Sequence, residues 1–349
     1  MSAIEEKSLG TIPVAPAGPL SALILAMLAE PPADSMRVRA PEALTELGEG
    51  VAEPLADRDL QLALYLCYEL HYRGFAGVDP SWEWNPELLA ARAVLEGRFG
   101  EALARAVPPE EVEPGSVGDL LFGIEAEDDG PSLSRYIETS ADLDQFREFV
   151  VHRSLYQLKE ADPHSWAIPR LSGAAKTALL EVQHDEYGGG RAERMHSALF
   201  AKTMRALGLE DSENAYLDLI PGPTLATVNL LSYFGLRRSR RGAIVGHLAM
   251  FEMTSARPNR RYGNGLRRLG FDREATDFYD EHVEADSIHE NIAAYDLAGG
   301  LARAEPELAA DVVRGARSLL LLEDRFARRL LTAWEAGESS LLAPLPNGS

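Results

Sequence analysis

Cysteine is almost absent: Cys67 is alone in 349 residues. One thiol cannot close a disulfide within the chain or hold a cysteine-ligated cluster, so thiolate metal sites and disulfide scaffolds are excluded and a reducing cytoplasm is expected. Long apolar runs are also missing. The stretch from Leu20 to Leu28 falls far short of the ~20 residues of a membrane helix, and no early segment joins a basic start, an apolar run and a small-residue cleavage site. Positive charge is in deficit: 34 Lys and Arg stand against 55 Asp and Glu, for a net charge of -21 and a pI near 4.8. Such a field repels nucleic acid and anionic membranes, so neither is expected as a partner. No Gly-x-Gly-x-x-Gly stretch is present. Without a dinucleotide site, any electrons must come from a substrate or an external donor.

What is present is helical. The chain is 46% hydrophobic, enough for a folded interior, and strand-type alternation is nearly absent, which predicts an all-α protein. Residues 1–40 are expected to be a flexible N-terminal tail and 41–110 an N-terminal helical accessory unit. The latter rests on patterns such as Leu60 to Leu70, with a loop at Gly74 to Pro86 that carries Trp82 and Trp84. Residues 111–141 read as linker and lead-in after the proline- and acid-rich Pro108 to Gly115, 142–338 as the main helical domain, and 339–349 as a C-terminal tail. Within the main domain the pattern predicts helices at about 142–162, 170–187, 191–207, 212–219, 223–235, 239–256, 261–269, 272–298, 306–314 and 316–336. Breaks are signalled by Asp162-Pro163, Ile220-Pro221-Gly222-Pro223 and Arg257-Pro258-Asn259. The run Arg237, Arg238, Arg240, Arg241 reads as a solvated basic face, with a docking surface for an anionic substrate or redox partner as the alternative.

Three places put an acid three residues before a histidine: Glu181 with His184, Glu193 with His196, and Asp286 with His289. On a helix, residues i and i+3 share a face, and di-iron carboxylate bundles use two such motifs plus one carboxylate from each of two further helices. His282 extends the third motif to a stripe of His282, Asp286 and His289 at i, i+4 and i+7. Glu186 extends the second to Glu186, Glu193 and His196 if the helix is continuous. Glu181 and His184 face away and read as a surface or capping pair. Apolar neighbours, including Leu199, Phe200, Ile288 and Ile292, turn both stripes inward, where unpaired acids are costly and coordination is the simplest remedy.

Glu252 lies in the otherwise apolar Gly242-to-Met253 segment and is expected to be a third-helix ligand, with His247 a core histidine beside the site. Before Pro163, Glu160 is preferred over Glu148. A donor set of carboxylate oxygen and imidazole nitrogen without thiolate suits iron or manganese, and the number of acids disfavours zinc hydrolysis. A single iron held by two histidines and one carboxylate is the nearer rival.

In order and spacing, Glu186 to His196, Phe251-Glu252 and His282 to His289 resemble the haem-oxygenase-like diiron oxidases, also labelled iron-containing redox enzymes, over roughly residues 142–336. The resemblance implies a haem-oxygenase-like helical bundle with two Fe(II) per chain and O2 as co-substrate. Its implied ligands are Glu160, Glu193, His196, Glu252, His282, Asp286 and His289, with Glu186 added in some members. It further implies oxidation of a small amino-acid-like or fatty-acid-like metabolite by N-oxygenation, desaturation or oxidative cleavage. Some members carry a helical accessory or dimerisation domain before the oxidase, so a homodimer is a further expectation. The competing readings are a metal-free or haem-binding member of the fold and an iron-handling helical protein without an organic substrate.

Overall fold

Aspartate caps set where several helices begin. Asp57, Asp142 and Asp272 each accept a hydrogen bond from a first-turn backbone N–H, and Gln145 accepts one from the Asp142 N–H, closing a capping box. The computed structural model describes residues 12, 14–32 and 39–345, without the side chains of residues 39 and 284–288. Among the described residues every regular element is helical, as the sequence predicts for a haem-oxygenase-like bundle. The α-helices are α1 (Pro19–Leu28), α2 (Arg39–Glu49), α3 (Arg58–Glu69), α4 (Pro86–Ala106), α5 (Val117–Glu127), α6 (Leu133–Thr139), α7 (Leu143–Gln157), α8 (Asp162–Ser165), α9 (Gly173–Glu186), α10 (His196–Ala206), α11 (Gly222–Gly235), α12 (Arg241–Arg268), α13 (Arg273–Asn291), α14 (Gly299–Ala304) and α15 (Ala309–Glu335). No helix among them is long and apolar enough to cross a membrane.

The chain divides into two compact units: residues 1–106 with 221–229, and residues 107–220 with 230–349. In the first, α3 is buried along its length. Its Asp59 carboxylate accepts from the Leu20 and Ser21 N–H groups at 2.8 and 2.7 Å, which satisfies donors that the start of α1 leaves open. A buried polar network joins Tyr68, His71, Arg92 and Glu96, with Glu83 on the outer nitrogen of His71.

In the second unit α12 packs against α15 and α13. A Cβ added at Gly246 would meet the Val312 carbonyl oxygen at 1.8 Å, and one at Gly315 would meet that of Ala243 at 2.0 Å. Only glycine permits this approach of backbone to backbone, so the small residues of Gly242 to Ala249 serve to seat α12 against α15. On its other side, Phe146, Phe149, Tyr262, Phe278 and Tyr279 meet at centroid distances of 4.6–6.3 Å, several edge to face. Each such buried ring stabilises the unit by about 1.5–3 kcal/mol.

Two expected breaks and one expected helix are absent. The helix expected to stop at Arg257 runs through Pro258 to Arg268, because packing along α12 outweighs the ~3 kcal/mol that an interior proline costs. The segments expected at 306–314 and 316–336 form one helix after a short 3-10 turn, Pro306–Leu308. The helix expected at 212–219 reduces to a 3-10 turn, Leu217–Leu219. Nor do residues 339–341 behave as the expected tail. Glu148 accepts from Trp334 Nε1, Ser339 Oγ, Ser340 N and Ser340 Oγ at 2.6–2.8 Å, and Leu341 is buried.

Candidate metal centre

Four buried side chains from four places in the second unit converge: Glu160 after α7, Glu186 at the end of α9, His196 at the start of α10 and His282 in α13. One potential ligand atom from each lies within 4.8 Å of all the others. His196 Nδ1 is 3.0 Å from Glu186 Oε2, and His282 Nε2 is 3.6 Å from Glu160 Oε1. The other nitrogen of His282 donates to the Phe278 carbonyl at 2.8 Å. That bond orients the ring and turns Nε2 towards Glu160. Neither Glu160 oxygen has a hydrogen-bond partner among the described residues. A bare buried carboxylate is costly, and a cation is the remedy its geometry allows.

Local backbone strain presents Glu160. The expected helix to 162 ends at Gln157, and Ala161 takes φ +74, a left-handed conformation that costs a non-glycine residue about 1–2 kcal/mol. Gln183 Nε2 donates to the Ala161 carbonyl at 3.0 Å and holds that turn.

The glycine run corrects the sequence reading of the second stripe. α9 stops at Glu186, Gly188, Gly189 and Gly190 all take positive φ, and residues 192–194 form a separate 3-10 turn before α10 starts at His196. Glu186, Glu193 and His196 therefore share no helix face. The turn folds Glu186 back onto His196 and leaves Glu193 exposed, while the neighbouring Arg194 pairs with Glu281 of α13. The expected Glu193 ligand lies outside the group, and Glu186, expected only as an addition, stands in its place. Gly188 is the tightest point: at φ +66, an added Cβ would meet the Arg194 carbonyl carbon at 2.5 Å. Gly188→Ala is expected to cost about 2 kcal/mol in denaturant unfolding and to weaken metal binding, whereas Gly190→Ala, with open space around it, costs less and spares the site.

A second carboxylate–imidazole group links α13 to α12 and α9. His289 Nδ1 is 3.3 Å from Glu252 Oε2 of α12, and His289 Nε2 is 3.0 Å from Asp185 Oδ2, one residue before Glu186. Asp185 has no signal in the sequence beyond its neighbour. Asp286 falls on α13 between His282 and His289 in the expected register, but its side chain lies outside the described residues.

The acids crowd one another. Burial pushes the Glu160 and Glu252 carboxyls above their usual range, the nearby Glu186 charge adds to both, and the histidines pull them down only in part. Burial and the charges of Glu160, Glu186 and Glu252 together raise the Tyr156 phenol, which places all three carboxylates around one ring. Burial alone would lower His289, but hydrogen bonds and charge from Glu252 and Asp185 prevail and push it up to about 9. The metal-free site thus holds a proton where excess negative charge calls for a cation.

The remaining candidates sort clearly. Glu148 is occupied by its four bonds to the C-terminal segment. His247 is buried and meets His164 Nε2 through its Nδ1 at 3.2 Å, a histidine pair beside Phe251 that sequence reasoning left unmatched. Glu181 and His184 are exposed. In the basic run, Arg240 stacks 3.5 Å from the Tyr233 ring centre and Arg241 pairs with Glu305, so two of the four have structural work.

A profile for iron-containing redox enzymes matches residues 147–324, the stretch that holds every member of both groups. A nitrosourea synthase of Streptomyces achromogenes subsp. streptozoticus is 28% identical over 159 residues, which is 45% of this chain and 34% of that protein. The chain therefore aligns with about a third of that relative's length. With a bundle that is helical throughout, a buried cluster built only of carboxylate oxygens and imidazole nitrogens, and a family match over half the sequence, the chain belongs to the iron-containing redox enzymes.

Proposed function

We propose that this chain is a non-haem diiron oxidase that oxidises a small organic metabolite with O2. The observation that carries this reading is the buried Glu160, Glu186, His196 and His282 group, with both Glu160 oxygens lacking a protein donor. These four would hold one Fe(II). Glu252 and His289, with Asp286 by its register on α13, would hold the second. The ions, when bound, supply O2 binding and its reduction. Phe278 and Asp185 orient the two α13 histidines through their outer nitrogens, and such partners commonly change metal affinity 10- to 100-fold.

A cleft of about 820 Å³ opens beside the centre, with Phe149, Gln157, Phe251, Tyr262, Phe278 and Tyr279 among its lining residues. Its size suits a small metabolite, and its wall also carries charged side chains, among them Arg153, Arg257 and Glu323. The proposed substrate is amino-acid-like or fatty-acid-like. The similarity to a nitrosourea synthase favours a nitrogen-bearing one, with N-oxygenation ahead of desaturation or oxidative cleavage. Electrons come from the substrate or an external donor. Candidate ligand atoms of four side chains, all within 4.8 Å of one another, leave no space for a macrocycle among them, which disfavours haem at this place.

Anaerobic Fe(II) titration of the metal-free chain, followed by O2 exposure under optical monitoring, tests the reading. Two irons per chain and a transient visible absorption are expected. Saturation at one iron or fewer would sink the dinuclear assignment, and iron uptake without O2 consumption would point to an iron-handling protein.

A further inference from the structure

A chain of hydrogen bonds stitches the turn that carries Glu160 to the end of α9 that carries Glu186. Gln183 Nε2 donates to the Ala161 carbonyl at 3.0 Å and to Ser165 Oγ at 2.8 Å. Ser165 Oγ lies 2.9 Å from Tyr187 Oη, which donates to Asp162 Oδ1 at 2.7 Å. The directions are forced. The Ala161 carbonyl can only accept, so it fixes the orientation of the Gln183 amide, whose Oε1 has no partner among the described residues. The Asp162 carboxylate takes the single Tyr187 proton, so Ser165 must donate to Tyr187. Every link falls beside a proposed ligand: Ala161 and Asp162 follow Glu160, Gln183 precedes Glu186 by three positions on α9, and Tyr187 follows it. Gln183 is 2% exposed. An apolar side chain of similar length would fill that place without burying an amide, so the two N–H bonds are what the glutamine adds. Strain such as the left-handed Ala161 persists only where its surroundings over-determine it, and here the surroundings are these bonds.

We propose that Gln183 and Tyr187 are positioning residues of the metal centre: their hydrogen-bond chain fixes the spacing of Glu160 and Glu186 in the metal-free chain, so an arriving divalent ion meets both carboxylates in place. The proposal rests on the four-residue group being a metal site. Neither Gln183 nor Tyr187 belongs to that group, and each acts through the backbone of the ligand-bearing segments. A carboxylate that wanders must be ordered by the ion, and that ordering subtracts from affinity. The chain ties the two carboxylates together and includes neither His196 nor His282. Loosening it therefore changes how many oxygens reach the ion and leaves the imidazole nitrogens where they are.

Anaerobic titration of the full metal-free chain with Co(II), whose visible absorption reports coordination geometry as well as occupancy, tests this without turnover. Gln183→Met and Tyr187→Phe are each expected to weaken Co(II) binding about tenfold, the lower edge of the range for partners of ligating side chains, and to change the intensity of the visible bands. The double variant should lose little more than either single one, because both cut the same chain. Ser339→Ala, which removes a hydrogen bond to Glu148 in the same unit, is the control for a mere loss of stability. It should melt at a lower temperature with Co(II) affinity and spectrum unmoved. Circular dichroism checks that each variant is helical, and if Gln183→Met does not fold, Tyr187→Phe alone decides. Parent-like affinity and spectrum in the folded variants, or changes no larger than those of the control, overturn the proposal and leave the metal site standing. A parent chain that binds no Co(II) overturns both.

Discussion

Replacing Glu186 by alanine should lower Fe(II) affinity by at least about 100-fold, whereas Glu193→Ala should leave it unchanged. Groups that merely orient a metal-bound histidine alter affinity 10- to 100-fold when removed, so loss of a direct carboxylate ligand belongs at or beyond the upper end of that range. Glu186 is 7% exposed with an oxygen 3.0 Å from His196 Nδ1. Glu193 is exposed on its turn. Anaerobic competition against a chromophoric chelator measures both variants, and circular dichroism checks that each remains helical. Equal losses, or a loss confined to Glu193→Ala, would restore the Glu193-x-x-His196 motif and refute the arrangement around the glycine turn.

The pair also shows where the sequence could and could not be read. The His282 to His289 stripe was legible because α13 is one continuous helix, so spacing translates directly into a shared face. Glu252 was legible because an acid in an apolar helix needs a counterpart, and it has one in His289. The Glu186 stripe was misread for a physical reason: three glycines in left-handed conformations replace helical periodicity with a reversal, and periodicity carries no information across a reversal. Glu160 joins the buried group from a strained turn at Ala161 and not from the expected helix, so helical spacing gave it little support. Asp185 and His164 act through contacts with residues distant in sequence, His289 and His247, and no local pattern announces either. The uninterrupted α12 is likewise a property of the packed chain, since Pro258 is a sound local stop signal overruled by packing on two sides.

Acid should destabilise the metal-free chain steeply below about pH 6.5, and His152 should account for a separable share of that loss. His152, His164 and His247 are each no more than 2% exposed. Burial pushes His152 and His164 down to about 3, while burial and the facing His164 hold His247 well below its usual value. The folded chain keeps these rings neutral, whereas the unfolded chain protonates them near pH 6.5, so the unfolded state binds more protons and stability rises with pH. For His152 the stability is fully present above about 6.5 and falls by about 1.4 kcal/mol per pH unit down to about 3, where both states are protonated. Glu160 and Glu252 act in the opposite sense, since their raised carboxyls take protons in the folded state first and offset part of the slope. A difference measurement removes that offset. His152→Phe keeps an aromatic ring against Phe326, gives up the bond of Nε2 to Ser340 Oγ and deletes one titration outside the metal-binding group. Between pH 6.5 and 4.5, urea unfolding should show the variant losing about 2 kcal/mol less stability than the parent. Parallel pH curves for the two proteins would mean that His152 gains its proton in the folded state as readily as in the unfolded one, and the buried neutral ring would have to be abandoned.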